Sequence, residues 1–198
     1  MSGPRVVEDV ETLKAMADPA RLAILELTMG DYARVWTAKE LATAIGMPPK
    51  KIYYHLGLLE QRGLLEIRAT QVVNGIIEKH YGASQQSITF QHGSGMPPGP
   101  ESASDMGEMA ALLFDQVRDN VLDGLRSGRA VMDRQAPDGR RAVVSYSTAT
   151  MPPEKAGQFR EALLALVAEF DATAVPGAPT FEVLIAIHPR DAAPAEER

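Results

Sequence analysis

Apolar positions near the start of the chain recur at helical spacing and are interrupted by short turn signals. Residues 7–17 and 19–29 carry leucine, isoleucine, valine or alanine three or four positions apart, which predicts two short helices. Asp18 and Pro19 lie between them, and these residue types favour the cap and the first turn of a helix. This part of the chain is therefore predicted to be a pair of helices.

A second pair of helices is predicted within residues 37–62. Thr37 is followed three residues later by a glutamate, which is the spacing of a capping box. Gly46 suits the left-handed conformation that follows a helix, and Pro48 and Pro49 favour the first turn of the next one. The apolar stripe of this second helix consists of Ile52, Leu56 and Leu59.

The other side of the same helix carries residue types that commonly contact nucleic acids. Lys50, Lys51, Tyr53 and Tyr54 lie mostly off the apolar stripe. A helix with an apolar back and a Lys/Tyr front, placed after a glycine turn, is typical of a helix-turn-helix whose second helix enters the DNA major groove. An ordinary helical hairpin with solvated lysines is the alternative interpretation.

Two β-rich runs follow this helix and flank Asn74 and Gly75. Asn-Gly between such runs is a strong hairpin signal, because a type I′ turn needs positive φ at both central positions. The sequence LEIRAT alternates apolar and polar residues, as a strand with one buried face does. A helix-turn-helix followed directly by a β-hairpin predicts a winged helix, which is a mainly α fold with a β-hairpin wing.

Two motifs and the hairpin of this region are typical of one family of transcriptional regulators. The motifs are formed by Asp18, Pro19, Arg21, Leu22, Ile24 and Leu25, and by His55, Leu56, Leu59, Gly63, Leu64 and Leu65. Together with the hairpin sequence NGIIEKHY, they resemble the ArsR-like winged-helix regulators over about residues 8–83. The resemblance implies a dimeric DNA-binding protein, usually a repressor, that a metal, another small ligand or a chemical signal releases from its operator.

This chain differs from the family pattern in two respects. The family commonly has serine, or another good cap, where this chain has Pro48. Its metal-sensing members use cysteine pairs, or clusters of Asp, His and Glu on a late helix. This chain has no cysteine, and its four histidines show no such spacing. Metal sensing through those sites is therefore not expected, and the sequence indicates neither a metal site nor a cofactor.

The winged-helix geometry predicts which residues reach double-stranded DNA. The recognition helix contacts bases and phosphates, the wing contacts the backbone or minor groove, and the N-terminus of the preceding helix is a phosphate site. The predicted DNA-binding residues are Thr37, Lys39, Pro49, Lys50, Lys51, Tyr53, Tyr54, Arg68, Asn74 and Lys79. His55, in contrast, is expected to pack within the domain.

Beyond the wing, residues 84–103 are predicted to extend a wing strand at 87–90 and then to form a Gly/Pro-rich linker. Residues 104–126 keep apolar side chains at helical spacing, which predicts an amphipathic helix about 34 Å long. We expect this helix to pair with its copy in a homodimer, because a winged helix needs a partner to read a two-fold operator. Packing onto its own domain is the alternative.

Strand-like alternation at residues 140–151 and 180–189 flanks a helical pattern that starts at Pro152 and ends near Asp171. The order strand, helix, strand predicts a small α/β unit whose last strand is buried on both faces. The predicted organisation is a winged-helix DNA-binding domain at 1–83, a strand extension and linker at 84–103, a dimerisation or ligand domain at 104–190 and a disordered tail at 191–198.

The charge of the chain is unevenly distributed. The formal net charge is −6, but residues 1–82 hold ten basic and ten acidic side chains, so the excess lies in residues 83–198. Phosphate binding depends on local basic groups, so the first half can bind DNA while the acidic second half is expected not to contact it. With no apolar run resembling a signal peptide or membrane span, the sequence predicts a soluble cytoplasmic protein.

The sequence supports two further classes of function less strongly than DNA binding. An apolar pocket for a small effector is an alternative role for the C-terminal half, and its candidate lining residues are Met106, Met109, Phe114, Tyr146 and Phe159. These side chains are also explained as core and dimer interface. An enzyme is the least expected class, because Ser145, Tyr146 and His188 lie on predicted strands but belong to no catalytic motif.

Overall fold

A computed structural model describes residues 5–90, 99–175 and 177–190. Its helices are α1 (Val10–Met16), α2 (Pro19–Gly30), α3 (Ala38–Ala44), α4 (Pro49–Gln61), α5 (Pro100–Arg126) and α6 (Pro153–Ala172). Its strands are β1 (Arg5–Val7), β2 (Trp36–Thr37), β3 (Leu65–Val73), β4 (Ile76–Ala83) and β5 (Ile88–Phe90). A short 3₁₀ turn spans Asp138–Arg140.

The first helix begins later than the sequence pattern predicts. Asp9 is its N-cap and accepts a hydrogen bond of 2.7 Å from the amide of Thr12. Val7 lies instead in β1, which pairs in parallel with β5 opposite Phe90. Residues 87–90 were predicted to extend the wing, and this prediction is wrong: β4 ends at Ala83, and β5 forms a separate two-stranded sheet with β1.

The junction between α1 and α2 is held by the motif that suggested it. The carboxylate of Asp18 accepts hydrogen bonds from the amides of Ala20 and Arg21, which confirms the predicted cap. The buried Arg21 side chain reaches back to the carbonyl oxygens of Ala15 and Lys14 at the end of α1. Arg21 therefore joins the two helices and satisfies carbonyls that the short α1 leaves free.

The helix-turn-helix forms as predicted. Thr37 and Glu40 make a full capping box at the start of α3. Gly46 has a φ of 66°, in the left-handed region that a β-carbon disfavours. Pro48 occupies the N-cap position of α4 without contributing a side-chain hydrogen bond, so this helix starts from proline geometry alone.

The wing is a β-hairpin that projects from a three-stranded sheet of order β2-β4-β3. Asn74 and Gly75 have φ values of 52° and 77°, which confirms the predicted turn. Strand β2 pairs only with His80 and Tyr81, so the hairpin continues beyond it as two strands. Four residue pairs lie past that point, which extends the wing by about 13 Å at the usual rise per residue.

The core is built from the four helices α1, α2, α3 and α4, together with the base of the wing and one residue of α5. Leu13, Ile24, Leu41, Ile52 and Leu59 are each fully buried in it, and Met109 of α5 completes it. Outside this core, Lys14 of α1 lies 3.2 Å from the carboxylate of Asp105. Helix α5 starts at Pro100 rather than at residue 104, and its first half packs onto the winged helix.

The C-terminal part differs most from expectation. Helix α6 is confirmed, but it buries no residue. The two runs predicted as flanking strands, 140–151 and 180–189, form no strand in the described chain, apart from an isolated bridge between Val131 and Arg141. Because neither run finds a β partner within one chain, the sheet of the predicted α/β unit does not form there. No helix of the described residues is long and apolar enough to cross a membrane.

Candidate nucleic-acid interface

The outer face of α4 is exposed in the described part of the chain and carries the predicted recognition residues. Lys50 and Lys51 are exposed, and Tyr53 and Tyr54 expose 62% and 69% of their surface. The opposite stripe of α4 is fully buried, which fixes the orientation of this face. Tyr54 therefore lies outside the core, and all four side chains extend towards solvent from one rigid helix.

His55 lies between the two faces of α4 and belongs to the domain interior, as expected. Its side chain is largely buried, and its Nδ1 atom lies 3.7 Å from a carboxylate oxygen of Asp18. The ring of Tyr54 meets the imidazole edge-on at a centroid distance of 5.5 Å. His55 thus links α4 to the capped start of α2 rather than to DNA.

A groove of about 390 Å³ separates α4 from the wing. Lys39 of α3 and Lys79 of β4 line it, together with Tyr53 and Ile77. The amine of Lys79 lies 3.7 Å from Glu60, so one acidic side chain partly offsets the local positive charge. The two lysines flank the space between recognition helix and wing, where a DNA backbone would pass.

Tyr81 lies on the β4 side of this groove and is almost fully buried. Its burial raises the pKa of the Tyr81 phenol, and the nearby Glu60 carboxylate and Tyr53 add to the same effect. The phenol is therefore a neutral hydrogen-bond donor at physiological pH. Ile77, Lys79 and Tyr81 alternate along β4, so all three point to the same face of the wing.

Arg68, which was predicted to bind phosphate, has partners for its guanidinium within the fold. Its guanidinium donates to the carbonyl oxygens of Tyr32 and Ala83 and to the carboxylate of Glu66. It also stacks over the Tyr32 ring at 4.1 Å. A β-carbon at Gly82 would come within 2.6 Å of the guanidinium, so that glycine makes the room. A glycine inside a strand signals such a close approach, and that signal was visible in the sequence.

Thr37, which was also predicted as a phosphate ligand, forms the capping box of α3. Its hydroxyl donates to Glu40 at 2.9 Å and accepts from the Glu40 amide at 3.2 Å. The Thr37 amide and hydroxyl, which donate to Glu40, lower the pKa of this carboxyl, so a negative charge occupies the start of α3. A phosphate would be repelled there. Lys39, two residues further along, is exposed, and its role as a phosphate ligand stays a prediction.

The tip of the wing is apolar, a feature to which the sequence reasoning gave no role. Val72, Val73, Ile76 and Ile77 flank the exposed Asn74-Gly75 turn, and all four are exposed. They were interpreted as strand-forming residues, which they are. Their exposure could not be deduced, because alternation does not reveal how far a hairpin projects beyond its sheet.

The five residues predicted to line an effector pocket are not brought together. Met109 is buried in the winged-helix core, and Met106 packs partly against it. Phe114 is about half exposed on α5, while Tyr146 and Phe159 expose 86% and 54% of their surface. A side chain as exposed as Tyr146 cannot line an enclosed cavity of the single chain, so this pocket is not formed there.

Comparison with known proteins identifies the same region. Residues 16–68 match a family model described as a helix-turn-helix domain. The match runs from the end of α1 through α3 and α4 into the first wing strand. A search among curated proteins found no match. Residues 16–68 therefore form a helix-turn-helix domain, and this domain supports a role for the protein as a DNA-binding regulator.

Proposed function

We propose that the protein is an ArsR-like, homodimeric repressor of transcription that binds a two-fold DNA operator. The observation that carries this proposal is the face of α4. Four exposed Lys and Tyr side chains extend from a helix whose other face is locked into the core. In a winged helix such a face enters the major groove, and a dimer places two of them about one helical turn of DNA apart.

The contacts divide between base reading and positioning. Lys50 and Lys51 can donate to guanine O6 and N7, and Tyr53 and Tyr54 can donate to phosphates or contact thymine methyl groups. Lys39 and Lys79 flank the groove beside α4 and are placed to bind the backbone. The wing tip carries apolar side chains rather than arginine, so it suits the minor groove better than the phosphates.

Regulation by repression follows from occupancy of the operator, and no catalytic step is required. We propose a protein that is not an enzyme and uses no cofactor. A small apolar effector remains a second element of the proposal, favoured by the exposed aromatic side chains of the C-terminal region. Thermal-shift screening with hydrophobic small molecules tests it. A broad set that leaves the melting temperature unchanged would count against an effector.

The decisive test is selection of DNA from a random pool by the purified full chain, followed by sequencing. We expect a two-fold motif with half-sites about 10 base pairs apart, centre to centre. The matched controls are a variant with Lys50→Ala and Lys51→Ala in α4, and Lys155→Ala in α6. The first should enrich nothing, and the second should enrich the same motif as the unmodified chain. If the unmodified chain enriches no two-fold motif, the proposal fails.

A further inference from the structure

The last third of the chain exposes apolar side chains in a strand–helix–strand order. We call residues 141–190 the C-terminal arm. The arm comprises α6 and the runs on either side of it, and none of its described residues (141–175 and 177–190) is buried. Examples of its exposed apolar side chains are Val143, Tyr146, Leu166, Phe170, Val183 and Leu184. An uncovered apolar surface of this extent usually marks an interface.

The two runs flanking α6 also leave their backbone groups unpaired. In the described chain, the amides of residues 143–151 and 179–190 donate no hydrogen bond to another backbone group. Both runs alternate in the manner of strands and contain β-branched or aromatic residues at successive positions. Strand-forming sequences with free amides and carbonyls readily pair with another chain.

The arm does not find its missing partner on its own domain. The hydroxyl of Thr180 donates to the carbonyl of Gly30 at 3.3 Å, and the amide of Asn120 donates to Glu182 at 3.2 Å. These contacts fix the second run beside α2 and α5 but cover little apolar surface. Val183 and Leu184 point to opposite sides of this run and expose 46% and 39% of their surface, so neither side is fully covered.

We propose that the arm is the dimer interface, where a second copy of this chain covers it. The runs at 141–151 and 180–189 pair with their counterparts in the other copy, and each α6 packs on the shared sheet. This inference rests on the proposed homodimer, and it places the dimer interface on the arm instead of on α5. The sequence favoured α5 as the dimerisation helix, whereas half of α5 is already packed on its own winged helix.

Charge and area both favour a second copy as the occupant. The arm holds four basic and five acidic residues, so two arms meet almost without net repulsion, although the whole chain is at −6. A stable interface covers roughly 800 Å² per partner. A large aromatic side chain can bury roughly 150–250 Å², and the arm exposes four of them besides its aliphatic residues. The available area is therefore sufficient for a dimer.

The anchoring contacts give this interface a consequence for DNA binding. Gly30 is the last residue of α2, and Asn120 lies on α5, which packs on the core. An arm held at these two points and paired across a two-fold axis sets the distance between two winged helices. The spacing of the half-sites would then be determined by the arm.

The test compares the full chain with two aspartate variants, using light scattering after size exclusion and hydrogen exchange. Leu166→Asp places a charge on α6, and Phe114→Asp is the matched control on the exposed side of α5. We expect a dimer at micromolar concentration, a dissociation constant about 100-fold higher or more for Leu166→Asp, and little change for Phe114→Asp. Amides of 143–150 and 181–187 should exchange slowly in the dimer and fast in Leu166→Asp.

The outcomes separate this inference from the proposed function. Leu166 is exposed in the single chain, so an unchanged circular-dichroism spectrum would show that the winged helix remains folded. A dimer that survives Leu166→Asp but not Phe114→Asp, or fast exchange of both runs in the dimer, overturns the arm interface and leaves DNA recognition standing. An arm-mediated dimer that enriches no DNA motif overturns the proposed function alone. A chain that stays monomeric overturns the arm interface and the proposed homodimer together.

Discussion

Two helices of this chain start in the same way and end up in opposite surroundings. Helices α4 and α6 each follow a Pro-Pro pair, and the N-cap prolines Pro48 and Pro152 have nearly identical φ values of −59° and −60°. Neither cap contributes a side-chain hydrogen bond. Yet α4 buries Ile52, Leu56 and Leu59 completely, whereas α6 buries nothing.

The contrast separates what forms a helix from what stabilises it. Proline geometry and apolar spacing act locally, so they operate equally at both sites. Burial requires a second layer, which α4 finds in α2, α3 and the wing within its own chain. Each fully buried leucine or isoleucine then contributes about 1.5–3 kcal/mol. For α6, we propose that a second copy of the chain provides this layer. The stability of α6 therefore depends on dimer formation.

The largest expected effect is a difference between two leucines. Leu56→Ala in α4 should lower the free energy of unfolding by about 2–5 kcal/mol, because it removes a fully buried side chain and leaves a cavity. Leu166→Ala in α6 should have little effect in dilute solution, where the single chain exposes 58% of that residue. Urea denaturation monitored by circular dichroism measures both.

Measurements at several protein concentrations separate the effects of these two leucine substitutions further. If α6 is covered only in a dimer, the cost of Leu166→Ala should grow as the protein concentration rises, whereas the cost of Leu56→Ala should not. Equal costs for the two substitutions in dilute solution would mean that α6 is buried within its own chain, which would remove the contrast between the helices.

The next effect concerns two lysines. Lys51→Ala in α4 should weaken binding to the selected operator by roughly 1–3 kcal/mol if the amine contacts a base edge. Lys155→Ala in α6 should leave the affinity unchanged, because the arm supplies none of the residues that we propose to contact DNA. Electrophoretic shift titrations at fixed salt compare the two. An unchanged affinity of the Lys51→Ala protein would remove this residue from the recognition set.

The winged helix could be predicted from sequence because its signals are local. Asp18 caps α2, Gly46 and Gly75 have positive φ, and Asn74 forms the wing turn as expected. Each of these features depends on a few neighbouring residues. The helices and the wing of this region followed from them, whereas β1 and its pairing with β5 did not, and α1 begins later than predicted.

The assignments of Arg68 and Thr37 to phosphate could not take their partners in the fold into account. Arg68 was assigned to phosphate from its position on a wing strand, but its partners Tyr32 and Ala83 are 36 and 15 residues away. Thr37 was assigned both as a cap and as a phosphate ligand, and one hydroxyl cannot satisfy both roles. The strands flanking α6 failed because alternation indicates a strand but not whether its partner lies in the same chain.

A smaller effect is expected at the helix ends. Thr37→Ala should cost about 0.5–2 kcal/mol of unfolding free energy, because it removes both hydroxyl bonds of the capping box at α3. Thr173→Ala is the matched change in α6, where the hydroxyl donates to the Phe170 carbonyl at 2.7 Å in an exposed helix end. Thermal unfolding should shift for the first and not measurably for the second. A larger shift for Thr173→Ala would mean that α6 contributes to the cooperative core.

The smallest expected effect on stability concerns the contact between the winged helix and the arm. Glu26 of α2 and Glu182 of the arm both accept hydrogen bonds from the amide of Asn120. Partial burial raises the pKa of Glu26, and the negative charge of Glu182 adds to it, while hydrogen bonds from Asn120 and Gln116 oppose the shift. The ionised carboxylate of Glu26 therefore opposes the folded state, and the part of this penalty that comes from Glu182 opposes docking of the arm. This penalty is absent below the unfolded pKa of about 4.3 and develops as pH rises through the folded value.

Glu26→Gln removes that penalty and keeps an oxygen for the Asn120 amide. At pH 7 the variant should be more stable than the unmodified chain, by about 0.2–1 kcal/mol at most, because the Glu26 carboxylate is only partly buried and water screens the repulsion. The difference should vanish as pH falls below about 4, where both proteins are neutral at this position. Glu161→Gln on the exposed surface of α6 is the control and should show neither effect. Unfolding curves between pH 4 and 8 measure the stabilities of the unmodified chain and the two variants. A Glu26→Gln protein that is less stable than the unmodified chain at pH 7 would show that the carboxylate holds the arm rather than repels it.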